Sequence, residues 1–183
     1  MIFGESAGSG SPEERLAALG LKLPPPTSTS EFTQPARRVG SLLYLGGHAA
    51  FTPDGAMVRG AVGRDLDLDE AREAARLTAL GLLRSARDAM GTLDAVAGVV
   101  RVLGMVNAAP DFTAYGRVID GCSEVFVDVF GEFGRHVRAS VGVTLSHDVP
   151  VEIEAVFELH PEDRAHANKF RLEDRKPVEA SRS

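Results

Sequence analysis

Two stretches near the end of the chain alternate strictly between apolar and polar side chains. The first covers residues 137–145 and the second residues 149–159, and a short polar turn lies between them. Successive side chains of a strand point to opposite faces, so each stretch predicts a strand with one apolar face. Because the two stretches follow each other so closely, the pattern also predicts that they pair as an antiparallel hairpin.

Two longer segments carry apolar residues at the spacing of an amphipathic helix. The first is predicted to begin at Asp67 or Asp69, whose carboxylate can cap free backbone N–H groups, and to end at Gly91. The second is predicted to be capped by Asp111, and its apolar stripe extends to Phe130.

A shorter helix is predicted near the N-terminus. Ser11 would be its N-cap, Pro12 occupies the first helical position, and Glu14 completes a capping box with the serine. The helix is expected to end at Gly20, just before a run of three prolines.

Three further apolar runs predict strands. Residues 41–45 read as a buried strand that ends in the turn Gly46-Gly47-His48, and residues 56–60 read as a second short strand. Residues 94–107 are apolar in both alternations, which is typical of a strand covered on both faces in the centre of a sheet.

The order of these elements predicts an α+β fold in which two long helices cover one face of a mixed sheet. The other face would still carry apolar side chains of the central strand, so we expect a closed symmetric oligomer. Residues 12–160 are expected to form a single domain. Residues 1–11 would be a flexible linker or tag, and residues 161–183 a charged tail with some helix over 162–175.

Composition narrows the classes of function. The chain has 183 residues and a net charge of −6, with no run of basic residues and no tryptophan, which makes nucleic acid a poor partner. A single cysteine excludes an internal disulfide and fits a reducing compartment. No apolar run approaches the ~20 residues that span a membrane, and no secretory signal is recognised. We therefore expect a cytoplasmic protein without a membrane partner.

The common motifs of metal, nucleotide and nucleophilic sites are missing from the sequence. The five histidines form no HxxxH or HExxH spacing, so neither a metal nor a cofactor is predicted. Cys122 lies in the apolar stripe of the second long helix, and a packed core thiol is expected there. His48 and His136 are expected at the surface or at the rim of a cleft.

The remaining candidates are Arg138 and Glu152. Arginine offers a planar fork of donors that grips a carboxylate, and a glutamate can position or deprotonate a water molecule. In the predicted hairpin the two residues lie roughly 15 Å apart along the strands. Long side chains or a bulge at Gly142 could shorten this distance, or a substrate or a neighbouring subunit could complete the site. An ion pair between Arg138 and Glu152 or Glu154 of a neighbouring subunit is the structural alternative.

Several segments together resemble one known family. Arg138-Ala-Ser-Val-Gly-Val, followed after a loop by Val-Glu152-Ile-Glu154-Ala, resembles the C-terminal signature of the RidA/YjgF family, once described as endoribonucleases. LLYLGGH (42–48), EAARLTALGLL (73–83) and VVRVLGMVNAAPDF (99–112) resemble further family segments, and FGEFGRHVR (130–138) is similar to the YjgF/chorismate mutase-like subgroup. The resemblance covers residues 12–160.

The resemblance implies a fold, an assembly and an activity. The fold would be chorismate mutase-like, in a barrel-cored homotrimer with sheets inside, helices outside and a cleft between each pair of subunits. The activity would be hydrolysis of reactive enamine or imine acids, such as 2-aminoacrylate, to ammonia and 2-keto acids, without metal or cofactor. The ligand would be a small carboxylate or imino acid.

The resemblance also implies roles for individual residues. Arg138 would hold the substrate carboxylate, Glu152 would handle the water, and Ser140 and Gly47 would contact the ligand. Two further ligand contacts depart from the family pattern, which has a serine in place of Gly46 and an asparagine in place of Asp120.

These departures, with the lack of a counterpart for the family's N-terminal tyrosine, leave a second hypothesis open. It is a trimeric module that binds small carboxylic acids without turnover. Ribonuclease activity fits the net charge and the low aromatic content least.

Overall fold

The computed structural model describes residues 10–26 and 31–161 of the chain. Most of the predicted N-terminal linker lies outside these residues, and so does nearly all of the predicted tail, including its helix over 162–175. The described residues form three α-helices, five strands and three short 3-10 turns.

The strands form one mixed sheet in the order β1-β2-β5-β3-β4. Their bounds are β1 Ala36–Val39, β2 Leu42–Ala49, β3 Val96–Val106, β4 Val137–Gly142 and β5 Val151–Leu159. β5 lies between β2 and β3 and is antiparallel to both, whereas β4 pairs in parallel with β3 at one edge. β1, which the sequence pattern did not predict, pairs antiparallel with β2 at the other edge.

The prediction that the two alternating stretches pair as a hairpin is wrong, because β3 lies between β4 and β5. The loop from β4 to β5 crosses the end of β3. There the Val143 N–H donates to the Val106 carbonyl, and the Asn107 N–H donates to the Pro150 carbonyl, both at 2.9 Å. Alternation indicates which face of a strand is apolar but not which strand lies beside it.

Two helices begin at predicted N-cap residues. In α1 (Pro12–Ala18) the Ser11 hydroxyl accepts from the Glu14 N–H at 3.4 Å. In α2 (Leu68–Met90) the Asp67 carboxylate accepts from two backbone N–H groups of the first turn at 2.9 Å. Gly91 ends α2 in the left-handed conformation, at φ 83°, as its position predicted.

The third helix, α3 (Tyr115–Phe130), begins later than predicted, and Asp111 does not cap it. Its N-cap is Ala114, whose side chain makes no capping bond. A turn in which the Phe112 N–H donates to the Ala109 carbonyl takes up the residues where the helix was expected to start. Cys122 is fully buried in α3, and burial raises the pKa of its thiol, which confirms a core thiol.

α2 and α3 cover one face of the sheet, as predicted, and the core fills the space between the helices and that face. Two glycines permit close approach. A Cβ on Gly121 of α3 would lie 2.2 Å from the Arg72 carbonyl oxygen of α2, and a Cβ on Gly104 of β3 would lie 2.4 Å from Ile119 Cγ1. The largest fully buried side chains are Phe126, Phe157, Leu43, Leu82, Leu83 and Leu93.

The opposite face of the sheet is not covered by any helix of the described chain. Strand register places Tyr44, Val156, Met105 and Val141 on this open face, together with Glu152. Tyr44 is 46% exposed and Val141 is 40% exposed, which leaves apolar surface in contact with solvent.

The predicted strand over residues 56–60 is not a strand. Thr52–Ala56 form a tight turn, in which the Thr52 N–H donates to the Ala56 carbonyl at 2.8 Å. Beyond it, Met57 makes only an isolated bridge with Phe51, and Gly60 leaves the extended conformation at φ 117°. The turn therefore brings Phe51 and Met57 side by side next to the end of β2.

Candidate functional site

A bulge in β2 brings the predicted residues Gly47 and Glu152 together. The register of β2 against β5 shifts between Leu45 and His48, so that Gly46 and Gly47 lie in the irregular segment. A Cβ on Gly47 would lie 2.2 Å from Glu152 Oε1, so the carboxylate packs directly on the glycine backbone. A Cβ on Gly46 would meet only backbone oxygens, at 3.7 Å or more.

Glu152 and Gly47 line a cavity of about 510 Å³. Within the described part of the chain, the half-buried Glu152 carboxylate has neither a hydrogen-bond nor an ion-pair partner. The other walls are largely apolar and come from β2, α2, the 52–56 turn and the loop before β5; they include Phe51, Met57, Leu77, Val149 and Pro24–Pro26. An unpaired carboxylate at an apolar cavity is a typical arrangement of a small-molecule site.

The loop before β5 forms one wall of the cavity, through Ser146, His147 and Val149. The backbone of His147 and of Asp148 has positive φ, at 60° and 55°, which is rare for residues other than glycine. Backbone bonds hold the loop in place: the Gly60 N–H donates to the Asp148 carbonyl at 2.7 Å, and the Arg59 guanidinium donates to the His147 carbonyl.

His48 is buried behind the bulge and is only 3% exposed. The expectation that it lies at the surface or at the rim of a cleft is therefore wrong. Its Nδ1–H donates to the Gly46 carbonyl and its Nε2 accepts from the Ser85 hydroxyl, each at 2.7 Å. A carbonyl only accepts, so the proton lies on Nδ1 in the neutral ring. Burial lowers the pKa of His48, which keeps the ring neutral and fixes the Gly46 peptide.

Arg138 and Asp120 form a second cluster, beneath α3. The Arg138 Nη1 donates to Asp120 Oδ1 and to the Ser123 hydroxyl, each at 2.9 Å, and Nη2 donates to the Gly116 carbonyl at 3.2 Å. His136 extends the network, because its Nε2 lies 3.1 Å from the same Ser123 hydroxyl. Sequence reasoning missed Ser123, although its spacing of i+3 from Asp120 puts the two on one helix face.

Ser140 lies on β4 two residues from Arg138 and on the same face. Its hydroxyl is buried and has no hydrogen-bond partner among the described residues, which is rare for a buried polar group. Next along the strand, Gly142 packs against the Tyr115 ring, since a Cβ there would lie 2.5 Å from Tyr115 Cζ. A tyrosine is therefore present near Ser140, contributed by the start of α3.

The two clusters lie on opposite faces of the sheet. Arg138 aligns with Val102 of β3, whereas Glu152 aligns with Met105, an offset of three residues that reverses the face. β3 also separates their strands, which adds two strand spacings, or about 10 Å. Within one chain, Arg138, Ser140 and Asp120 thus lie together, and Gly47 and Glu152 lie together, but the two groups do not meet.

Over residues 10–26 and 31–161, no group of three or more His, Cys, Asp or Glu side chains could hold a metal ion. No helix in the same ranges is long and apolar enough to cross a membrane.

Comparison with known proteins places these residues in a family context. A family model described as "YjgF/chorismate mutase-like, putative endoribonuclease" matches residues 13–148. The match includes Gly46, Gly47, Asp120, Arg138 and Ser140 but ends before Glu152 and the whole of β5.

Three similar proteins illustrate the relationship. Protein TCP17 of Trypanosoma cruzi is 34% identical over 154 residues, which cover 83% of this chain and 96% of TCP17. The crystal structure of Atu1372 from Agrobacterium tumefaciens, of unknown function, is 36% identical with a TM-score of 0.73, and the match covers 81% of this chain and 91% of that chain. A putative endoribonuclease from Shewanella oneidensis MR-1 is 28% identical with a TM-score of 0.78, covering 82% and 100%.

The family model and the similar proteins each match most of the chain. The family model spans well over half of the residues, and TCP17 aligns over nearly its full length. The fold of this chain is similar to that of the Shewanella protein along the whole length of that protein. The chain is therefore a member of the YjgF/chorismate mutase-like (RidA/YjgF) family.

Proposed function

We propose that the protein hydrolyses imine and enamine acids to ammonia and 2-keto acids. The observation that carries this proposal is the half-buried Glu152 carboxylate, which has no partner among the described residues and lines an apolar cavity. The protonated imine carries a positive charge on nitrogen, which an unpaired carboxylate stabilises in a partly desolvated site.

Glu152 would act as the base in this reaction. It takes a proton from a water molecule, whose oxygen adds to the carbon of the C=N bond and gives a carbinolamine. Protonated Glu152 then returns this proton to the nitrogen, which leaves as ammonia with the pair of electrons of the C–N bond. The C=O bond forms as the carbinolamine hydroxyl gives up its proton, which the ammonia takes up. Overall, the protonated imino acid and water give the 2-keto acid and ammonium, and the step uses the carboxylate rather than a metal or cofactor.

Arg138 would bind the substrate carboxylate through its planar fork of donors. Because Arg138 and Glu152 lie on opposite faces of one chain, we propose that they meet across the subunit boundaries of a homotrimer. The apolar open face favours such an assembly, since Tyr44 and Val141 would otherwise stay in water. The buried Ser140 hydroxyl, which has no partner among the described residues, would then meet a ligand atom.

A second candidate function is binding of small carboxylic acids without turnover. The separation of Arg138 from Glu152 on opposite faces of the sheet favours it, because a carboxylate held by Arg138 is out of reach of the proposed base of the same chain. A binder would retain Arg138 and Ser140 as ligand contacts and would not depend on Glu152 as a base.

The test is release of ammonia and keto acid from freshly generated imino acids by the wild type, Glu152→Gln and Arg138→Ala. We expect the wild type to accelerate release, and Glu152→Gln to slow it by about 10²–10⁴-fold, the range for loss of a general base. Arg138→Ala should raise KM. Glu158→Gln is the matched control, because Glu158 lies on the same strand but is exposed and away from the cavity.

One outcome would decide against catalysis, and another against Glu152 as the base. If the wild type accelerates no imino acid beyond the rate in buffer, the deaminase proposal fails and the binding function is tested with 2-keto acids. If Glu152→Gln and Glu158→Gln are equally active, Glu152 is not the base.

A further inference from the structure

We infer that the cavity beside Glu152 selects substrates with a bulky apolar side chain, such as the imino and keto acids related to phenylalanine and leucine. This inference rests on the proposed function, since it assigns the side-chain preference of the same site. Four features of the described residues support it: the size of the cavity, the chemistry of its walls, a glycine in α2 and the rigidity of the rim.

The size of the cavity exceeds what the smallest imino acids need. Its volume of about 510 Å³ falls in the range of about 300–1,000 Å³ that encloses much larger organic ligands. An imino acid with only a methylene or methyl side chain would leave most of this space to water. A phenyl or isobutyl group would displace that water from the apolar walls, which is favourable.

Most of the cavity wall is apolar. Phe51 and Met57 come from the turn after β2, Leu77 comes from α2, and the three consecutive prolines Pro24–Pro26 form another wall. His48 adds no free polar atom, because both ring nitrogens are already bonded to Gly46 and Ser85. The other polar side chains of the wall are Ser146 and His147 of the loop before β5 and Glu152, which the reaction itself uses.

A glycine in the middle of α2 keeps part of this space open. Gly81 lines the cavity, and a Cβ built on it would meet only His48 Cδ2, at 3.5 Å, which is an ordinary contact. No close helix packing or positive φ therefore requires glycine at this position. Glycine weakens a helix interior relative to alanine, and here its effect is to leave the cavity wall without a side chain.

The rim is held by bonds that keep the cavity from collapsing. The loop with His147 and Asp148 is fixed by the Gly60 N–H and by the Asn107 side chain, whose Nδ2 donates to Asp148 Oδ1 at 3.2 Å. The prolines on the other side have fixed φ angles. A preformed apolar cavity of this kind binds a matching group without paying to order its own walls.

The experiment compares phenylpyruvate with pyruvate as ligands by titration calorimetry, and the two corresponding imino acids as substrates, using the full-length protein. We expect the wild type to prefer the aromatic acid by about tenfold or more in both measurements, as apolar pockets discriminate by such factors. Gly81→Leu fills the cavity from α2 and should bring the ratio of the two affinities close to one. Gly81→Ala adds only a methyl group and should keep most of the preference.

Met57→Trp fills the same cavity from a surface turn, and it tests the inference independently of any effect of Gly81→Leu on α2. Each result has one meaning. A preference for phenylpyruvate in binding without hydrolysis of any imino acid supports this inference and contradicts the deaminase proposal. Hydrolysis with equal or reversed preference overturns the inference and leaves the deaminase proposal standing. If the protein binds neither phenylpyruvate nor pyruvate, the inference is overturned.

Discussion

Arg138 is held by three acceptors of its own chain, of which only Asp120 carries a charge. The pair is partly exposed, with 25% of the arginine side chain and 41% of the aspartate side chain accessible, so its strength is that of a moderate surface ion pair. An incoming carboxylate competes with Asp120 for the same donors, whereas the neutral Ser123 hydroxyl and Gly116 carbonyl compete weakly. The negative charge of Asp120 therefore limits the affinity for acidic ligands.

Asp120→Asn is expected to tighten binding of 2-keto acids, because it removes the competing charge and keeps a side chain of the same shape. A partly exposed pair contributes about 1 kcal/mol at most, which corresponds to about fivefold in the dissociation constant. Titration calorimetry measures the change. Asp128→Asn, an equal change of charge at an exposed position of the same helix, is the control. Unchanged or weaker binding in Asp120→Asn would show that Arg138 does not receive the ligand carboxylate.

The sequence identified these residues but not their partners. Arg138, Glu152 and Gly47 could be singled out because their residue types in that order resemble a family signature. The ion pair with Asp120 depends on how α3 lies over β4, and the contact of Gly47 with Glu152 depends on a bulge. The adjacent glycines are a local signal of an irregular strand, but the ion pair and the contact with Glu152 are set by packing between segments far apart in the chain.

The bulge in β2 is the structural element that places Glu152. Gly46 and Gly47 are adjacent and chemically identical, yet they differ in what surrounds them. A Cβ on Gly47 would overlap the Glu152 carboxylate, whereas a Cβ on Gly46 would meet only ordinary contacts. Since neither glycine has a positive φ, the comparison between them measures space rather than backbone strain.

Gly47→Ala is expected to lower kcat/KM for imino acids by about tenfold or more, because displacement of a catalytic group by about 1 Å has large effects on rate. Gly46→Ala should change it by less than about twofold, since the added methyl group makes ordinary contacts. Steady-state rates of keto-acid release for both variants test this. Equal losses in the two variants would mean that the bulge matters for folding and not for placing Glu152.

The helix pair contains a second such comparison, between Gly121 and Gly116 of α3. A Cβ on Gly121 would lie 2.2 Å from the backbone oxygen of Arg72, which cannot move without shifting α2, whereas a Cβ on Gly116 would meet only Arg138 Nη2 at 3.6 Å. Gly121→Ala should lower the free energy of unfolding by about 1–3 kcal/mol through overpacking. Gly116→Ala should raise it by up to about 1 kcal/mol, because alanine favours helix.

Chemical denaturation of the two variants measures both changes. If Gly121→Ala proves as stable as the wild type, α2 and α3 do not approach each other closely enough at this position to exclude a methyl group.

Helices and their starts were largely predictable, while strand order was not. The capping boxes at Ser11 and Asp67 are local, because the residues that form each of them lie within one turn of helix. The position of β4 is not local: its alternation fits an edge strand as well as a hairpin arm, and it pairs with β3, about 35 residues earlier in the chain. On β4, Val137 lies on the open face and is 67% exposed. What covers this apolar side chain is likewise not decided by the local sequence.

The proposed homotrimer would bring together Arg138 and Glu152, which lie apart within one chain. A closed ring of three chains has three equivalent boundaries, each with Arg138 from one copy and Glu152 from the next, if the proposed shared site is correct. The expected mass of the ring is about 58 kDa, three times the 19.4 kDa of one chain. When all three copies carry Arg138→Ala, every boundary lacks its arginine; when all carry Glu152→Gln, every boundary lacks its carboxylate. The two substitutions therefore remove groups that different copies contribute to the same boundary.

Co-expression of the two variants with different affinity tags, followed by purification on both tags, yields rings that contain both kinds of chain. In each such ring one boundary combines an intact Arg138 with an intact Glu152, so about a third of the wild-type rate should return. The two variants mixed after separate purification, without exchange of chains, are the control and should remain inactive. If the co-expressed rings are no more active than this control, the two residues do not share a site across the boundary.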